Sequence, residues 1–410
     1  MHNINRKLIF GFIIILVLFA FSSAISQEKK DETYKALRLF SQIYRLVEEN
    51  YVKEVNPKDL VLGAIEGMLS SLDPHSSLMK PEEFKELEVE TKGSFTGIGI
   101  EITIKDDVIT VVAPIEDTPA WKAGLKPGDK ILKIDEKSTK GMKITDAVKL
   151  LRGPKGTPVK LTILRGDRDI FEVTIIRDVI PIVSVRSKML EPGYAYVRIS
   201  QFQEKTAEEL VSALQKLESE GQIKGLILDL RNNPGGLLNS AVEVSDEFLE
   251  EGLIVSIRGR TKSNQMEFRA KPNPSNRKHK YPIAILINHG TASAAEIVTG
   301  ALKDNKRAVV IGEKSFGKGS VQTVIPIEDN YAVRLTTALY YTPSGQSIHN
   351  IGITPDFVIP SAEISRTKAK NSNQTEETFH QRFPSPEEDL QVKVALEILK
   401  NIQAIAQLKY

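Results

Sequence analysis

The chain has 410 residues, 41% hydrophobic and 26% charged, which is length enough for two or three domains and the composition of a folded protein rather than a disordered one. Its 55 basic and 53 acidic side chains leave a formal charge of +2, so no field of one sign gathers a polyanion, and nucleic acid is not an expected partner. Cysteine is absent, which excludes disulfides, thiolate metal sites and cysteine nucleophiles; the histidines (His2, His75, His279, His289, His349, His380) lack the close pairing of a zinc helix, so neither a metal nor a cofactor is expected.

In chain order, Arg6-Lys7, an apolar run from Leu8 to Phe21 and then Ser22-Ser23-Ala24 make residues 1–25 an export segment. The run falls short of the about 20 residues of a usual span. Two outcomes stay open, a signal peptide cleaved after Ala24 or an uncleaved anchor associated with a membrane. Either places the body outside the cytoplasm, in a periplasm or at the outer face of the cytoplasmic membrane. An N-terminal helical segment follows, residues 33–92, whose apolar positions over 33–70 (Leu37, Phe40, Ile43, Val47, then Leu60, Ile65, Leu69) predict two helices broken at Asn56-Pro57. Such a pair has little core of its own, so its apolar faces are expected to meet the main body or a second subunit, which makes a homo-oligomer a candidate assembly.

Residues 93–179 change to short strands and tight turns, including Gly97 to Ile104, Val108 to Val112, Lys130 to Ile134, Val159 to Leu164 and Ile170 to Ile176. Two helices interrupt them, one from Thr118-Pro119 to Gly124, the other from Ile144 to Leu151. From 180 to 360 buried strands alternate with amphipathic helices: Tyr194 to Ile199, a helix near 205–219, Leu226 to Leu230, a helix near 237–249, Ile283 to Ile287, a helix near 292–304. That order predicts an α/β core with parallel connections. A polar linker over 361–385 and a helical tail over 386–410 close the chain.

The segment Asn288-His-Gly-Thr-Ala-Ser293-Ala-Ala-Glu296 leaves a buried strand and enters a helix, so Ser293 stands near a helix N-terminus, where free N–H groups can hold an oxyanion. A nucleophile and a plain helix-capping serine both fit this position. A serine nucleophile needs a base, and Lys318, flanked by Gly317 and Gly319, can turn inward, with Gln322 four residues on as a partner. A lysine base must shed its proton from a pKa of about 10.4; three units of depression correspond to about 4 kcal/mol and require burial. An exposed turn is the other reading of this segment, while a phosphate loop is not, since the spacing ending in Gly-Lys-Ser/Thr is missing. His289 and His349 are alternative bases, but neither has a local acid partner.

These motifs, together with Ala301-Leu-Lys-Asp304, Phe316-Gly-Lys318-Gly-Ser-Val-Gln322 and Asp229-Leu-Arg-Asn-Asn-Pro-Gly235-Gly236, resemble the C-terminal processing peptidases, also called tail-specific proteases, over roughly residues 33–360. The resemblance implies a crotonase-like α/β serine protease core with an inserted, β-rich PDZ domain and an N-terminal helical segment. It implies Ser293 as nucleophile, Lys318 as general base, Gln322 as the residue that positions the lysine, and Gly235 or Gly236 with the Ala294 N–H as the oxyanion hole. Thr291 stands where many relatives have Ser, and Asp304 matches a family acid read as structural support. Gly97-Ile98-Gly99-Ile100 resembles the carboxylate-binding loop of PDZ domains, beside Thr118-Pro-Ala-Trp-Lys-Ala-Gly-Leu-Lys-Pro-Gly128-Asp129, which looks like the family's PDZ helix and turn. Arg152 occupies a family position at the junction of PDZ domain and core, where it would link peptide occupancy to the protease site.

The expected function is thus an exported serine endopeptidase that binds accessible C-termini of proteins or peptides and cleaves through an acyl-enzyme. Two rivals are a catalytically inactive PDZ-containing scaffold and a hydratase-like enzyme; for the second, no residues announce an acyl-carrier site.

Overall fold

The computed structural model describes residues 31–105, 107–166, 168–262, 265–272, 279–360 and 385–407. The export segment lies outside the described residues, as do 361–384 of the expected linker and 408–410 of the tail. The chain divides into two compact units, the first ending at Leu78 and the second starting at Met79.

In the first unit residues 31–50 are helical and a second helix runs Pro57–Ser70. The break has a local cause: the Asn56 side chain accepts the Lys58 N–H at 2.9 Å, and Pro57 fills a first-turn position where no N–H is needed.

The second unit opens with the helix Pro81–Lys92, ended by Gly93 at φ 65°. A β-rich region follows, in which strands Ile100–Lys105, Val108–Pro114, Lys130–Ile134, Pro158–Arg165 and Asp169–Ile176 pair antiparallel in that order. Its core gathers Ile98, Ile109, Val111, Ile131, Ile134, Val159, Leu161 and Ile163, with Ala147 and Leu151 from the helix Ile144–Leu151. The single strand expected from Gly97 to Ile104 is two. Ser94–Gly97 pairs with Asp178–Pro181, outside the main sheet, and the chain turns at Ile98-Gly99. Gly99 is required there, because its φ is 78° and a Cβ would stand 2.4 Å from the Cβ of Thr118. The Thr118 hydroxyl instead donates to the Gly99 carbonyl at 3.1 Å. Within this region Asp129 is buried and takes a two-pronged bond from Arg165, 2.8 Å at each carboxylate oxygen.

The larger core is a mixed sheet. Val185–Glu191 runs antiparallel to Tyr194–Ile199, and then Tyr194–Ile199, Gly225–Asp229, Ile283–Ile287, Ala308–Gly312 and Phe357–Val358 are parallel neighbours in that order. Gly225–Asp229 and Ile283–Ile287 are buried throughout, as parallel strands covered on both faces must be. Helices Thr206–Glu220, Leu238–Asp246 and Ala294–Asp304 cover one face through Leu210, Leu214, Val244, Ile297 and Val298. The tail helix Leu390–Gln407 covers the other, packing Val392, Ala395, Leu396 and Leu399 on Ile227, Ala284 and Leu286.

A second sheet, which the sequence reading did not anticipate, places Ala332–Tyr341 between Ser320–Pro326 and Leu253–Gly259, the last pairing in turn with Gln265–Arg269. Its strand Ser320–Pro326 takes up the chain just after Lys318.

Candidate active site

Ser293 is the residue before the helix Ala294–Asp304, and its backbone is at φ 56°, ψ −118°. An ordinary N-cap is extended. A side chain in the left-handed region is strained by about 1–3 kcal/mol and persists only where its surroundings hold it. Those surroundings are two laced loops. Asn288 accepts the Asn232 and Gly290 N–H groups at 2.9 and 3.0 Å and donates to the Asn232 side chain at 2.7 Å. The Thr291 hydroxyl donates to the Leu230 carbonyl at 2.9 Å, a task a serine could share, and the Ala292 N–H donates to the Asn233 carbonyl at 2.9 Å.

One buried carboxylate ties this turn to the lysine. Glu296 is fully buried; its Oε2 accepts the Ser293 N–H at 2.8 Å and the Lys318 N–H at 2.9 Å, while Oε1 accepts the Ser315 hydroxyl at 2.6 Å and the Gly317 N–H at 2.8 Å. Burial pushes the Glu296 carboxyl above its ordinary range and these four donors pull against that. The sequence motif contained Glu296 without a role for it, although serine followed three residues on by glutamate is the pattern of a capping box, in which the acid reaches back to the N-cap N–H.

Lys318 is half-buried, and burial first, then the Arg334 guanidinium, hold its ammonium below the ordinary lysine range. Gly317 and Gly319 are packed tightly, since a Cβ would stand 2.9 Å from the Gly352 nitrogen at the first and 2.4 Å from the His349 nitrogen at the second. The exposed-turn alternative does not describe this segment. Ser293, Lys318, Gln322, Gly235, Gly236 and Ala294 line one cleft of about 850 Å³, with Arg334, Tyr340 and the apolar Phe84, Leu87, Leu237 and Ile297. Among the described residues no hydrogen bond joins Lys318 to Ser293 or to Gln322. Gln322 stands just after a register shift in its strand and turns its amide to the Ser320 hydroxyl at 2.8 Å. The Tyr340 phenol lies beside Ser293 in this cleft.

The two glycines differ. The Gly235 N–H donates to Asn233 Oδ1 at 2.9 Å, and the glycine lies so close that a Cβ would be 2.6 Å from that of Ser293. The flanking bonds, Phe202 N–H to the Gly235 carbonyl and Leu237 N–H to the Phe202 carbonyl, both 2.8 Å, leave the Gly236 N–H outside the ladder. Behind this loop Asp229 binds Arg231, which also donates to Asp389 at 2.8 Å and Gln391 at 2.7 Å, so the tail segment anchors the loop. Burial alone would raise the Asp229 carboxyl, yet Arg231 and Arg198 hold it below the usual range. His289 is exposed, His349 has a buried Nδ1 with no partner among the described residues, and Asp304 accepts the Ser344 N–H at 2.9 Å.

In the β-rich region Gly97, Ile98, Gly99 and Ile100 lead into the strand Ile100–Lys105, which ends the order of its sheet and so presents a free edge. The Ile98 and Gly99 carbonyls are taken by the Ala120 and Ile115 N–H groups at 2.8 and 2.9 Å. Arg152, directly after the helix Ile144–Leu151, lays its guanidinium 4.9 Å from the ring centre of Phe95. Trp121 is 48% exposed and is not a core residue.

A strained serine at a helix N-terminus, a desolvated lysine in the same cleft and a β-rich module with an open sheet edge are the parts of a serine-type peptidase with a peptide-binding domain. The sequence matches the models of peptidase family S41 over residues 193–359, of the PDZ domain over 110–165 and of the activating protease CtpB N-terminal domain over 20–83. It is 48% identical over 361 residues to a carboxy-terminal-processing protease of Bartonella bacilliformis, covering 86% of this chain and 82% of the relative. With the carboxy-terminal processing protease CtpA of Bacillus subtilis it shares 37% identity over 381 residues, 92% and 79% of the two chains. A solved structure of the photosystem II D1 C-terminal processing protease is 31% identical, covers 78% of this chain and 92% of that one, and has a TM-score of 0.45. The chain belongs to the carboxy-terminal processing protease family and is a serine-type peptidase with a PDZ domain. Among the described residues no helix is long and apolar enough to cross a membrane.

Proposed function

We propose that this chain is an exported endopeptidase that takes hold of protein C-termini in its PDZ domain and cleaves by a Ser293–Lys318 mechanism. The observation that carries the reading is the Glu296 carboxylate, which binds the backbone of nucleophile and base at 2.8 and 2.9 Å and so keeps both at one cleft. Neutral Lys318 Nζ takes the Ser293 proton as Oγ attacks the scissile carbonyl; the oxyanion rests on the Gly236 and Ala294 N–H groups, with Gly235 keeping the approach clear. Lys318 then protonates the leaving amine, and water, deprotonated by the same lysine, releases the acyl group from Ser293. Lys318 has first to turn toward Ser293, and Gln322 leaves Ser320 to hold the lysine there. Neither His289 nor His349 meets a carboxylate among the described residues, which favours the lysine.

The tail of a substrate adds as a strand along Ile100–Lys105 with its carboxylate at Gly97–Ile100, and a bound tail raises the local concentration of the segment to be cut. Arg152, stacked on Phe95 beside that loop, carries occupancy to the core. The division is 33–92 helical segment, 93–179 PDZ domain, 180–360 core on a crotonase-type plan, 361–385 linker and 386–410 tail; the segment 1–25 directs export, and the helices before Leu78 serve a second copy. The test is cleavage, read by mass spectrometry, of peptides with free and amidated C-termini by wild type, Ser293→Ala and Lys318→Ala. Loss in both variants with retained peptide binding supports the mechanism; equal cleavage by all three removes it, and binding without cleavage in the wild type identifies a scaffold.

A further inference from the structure

Tyr340 belongs to no motif and lies in the second sheet, yet it touches both halves of the site. Its backbone N–H donates to the Gly319 carbonyl at 3.0 Å and its hydroxyl donates to the Lys318 carbonyl, so two successive peptide groups of the lysine segment are fastened to one residue. It lines the cleft together with Ser293, and the residue is only 3% exposed. A phenol buried this way could be explained by packing alone if its hydroxyl pointed at any convenient carbonyl. The carbonyl it has is that of the candidate base, and the cleft it lines is that of the candidate nucleophile.

We propose that Tyr340 is a positioning residue of this site, fixing the Lys318 carbonyl while Glu296 fixes the Lys318 N–H, so that the base is held toward the cleft that Ser293 lines. The inference rests on the Ser293–Lys318 reading. Glu296 secures the Lys318 N–H and Tyr340 the Lys318 carbonyl, so the peptide on each side of the lysine Cα is held and the side chain has one direction left, into the cleft. Burial raises the phenol well above its ordinary range, with the Glu296 charge adding to the effect. Tyr340 therefore stays a neutral O–H across the working pH range, able to keep donating to the Lys318 carbonyl. Glu296 acts on it directly, and Lys318 and Arg334 line the same cleft.

The test is Tyr340→Phe, which keeps the ring and removes only the hydroxyl. We expect kcat to fall about tenfold or more with KM changed less than threefold, a loss of the size of one hydrogen bond, felt through the misplaced Lys318. We also expect the acidic limb of the pH–rate profile to move to higher pH, since a loosened Lys318 is better hydrated and holds its proton more firmly. A ring-fluorinated tyrosine at 340, of nearly unchanged shape and still a hydroxyl donor, should restore most of kcat and return the limb toward the wild-type position. Thermal unfolding of each protein separates lost positioning from lost fold. Wild-type kcat in Tyr340→Phe, or a loss in kcat with an unmoved pH profile and no rescue by the fluorinated residue, overturns the inference. Ser293→Ala run alongside keeps the two readings apart: if it still cleaves, the Ser–Lys mechanism itself has failed, whereas an inactive Ser293→Ala beside a wild-type-like Tyr340→Phe rejects Tyr340 alone.

Discussion

Glu296→Gln tests the joint between nucleophile and base. The carboxylate receives four hydrogen bonds, two on each oxygen, and is fully buried. An amide of the same shape has one acceptor oxygen and an NH2 group that can only donate. Placed with its NH2 at the Oε2 position it would confront the Ser293 and Lys318 N–H groups; placed at Oε1 it can donate to the Ser315 oxygen and orphans only the Gly317 N–H. The second orientation is cheaper, and the loss is then one buried unsatisfied N–H, about 1–3 kcal/mol, plus the weakening of two bonds that no longer end on a charge, so about 2–4 kcal/mol in all. Expressed in the transition state this is about 30- to 900-fold in kcat/KM. Part of it should appear as lowered stability, because the clamp on the strained backbone of Ser293 no longer ends on a charge and the Gly317 N–H is buried unpaired. Steady-state cleavage of a peptide substrate and urea unfolding of the same preparation measure the two parts. Activity and unfolding midpoint both at wild-type levels would refute the reasoning, since a fully buried carboxylate with four donors cannot be neutralised without consequence.

Other outcomes follow from the same geometry. Gly236→Ala should abolish turnover or prevent folding, because the residue is at φ 138° and its Cβ would fall 2.0 Å from the Phe202 carbonyl oxygen; a soluble, active variant by circular dichroism and peptide assay would contradict this. Arg334→Ala removes the like charge facing Lys318, so the lysine pKa rises and the acidic limb of kcat/KM moves to higher pH; an unmoved limb means Arg334 does not act on the base. In the PDZ region burial alone would raise the Asp129 carboxyl, but Arg165 and the Lys126 N–H hold it below its ordinary value. Its contribution is therefore present above the unfolded pKa of about 3.9 and lost as pH falls through the folded value. Asp129→Asn should cost about 2 kcal/mol at neutral pH, a figure reduced because Arg165 is partly exposed, and urea unfolding should show the gap to wild type closing as the solution is acidified.

What the sequence made legible was what local rules govern. Ile283 to Ile287 and Ile144 to Leu151 fall where an apolar run and helical spacing placed them, and Asn56-Pro57 separates two helices. The order of strand, small-residue turn and helix put Ser293 at a helix N-terminus. The second sheet escaped notice because Ala332–Tyr341 pairs at long range with Leu253–Gly259, and no local pattern announces a partner some 80 residues away. Tyr340 and Arg334 were lost with it. The assumption that Gln322 shares a side with Lys318 by spacing alone met a register shift between Val321 and Gln322, where strand alternation no longer applies. Gly97 to Ile104 read as one strand because Ile98 and Ile100 are both apolar; the turn between them is dictated by Thr118, close in space and 19 residues away from Gly99. Glu296 lay in plain view as a motif letter, but a carboxylate that receives bonds from residues 315, 317 and 318 reveals its purpose only in three dimensions.

The claim that a neutral lysine takes the Ser293 proton is reached most directly by titrating Lys318 itself. In Ser293→Ala protein with labelled lysines, and Lys318→Arg to assign the signal, NMR follows the side chain of residue 318 as pH rises. We expect it to lose its proton below the other lysines, at a midpoint that coincides with the acidic limb of wild-type kcat/KM in the absence of peptide. A midpoint in the ordinary lysine range, with the kinetic limb elsewhere, would contradict the assignment of Lys318 as the base.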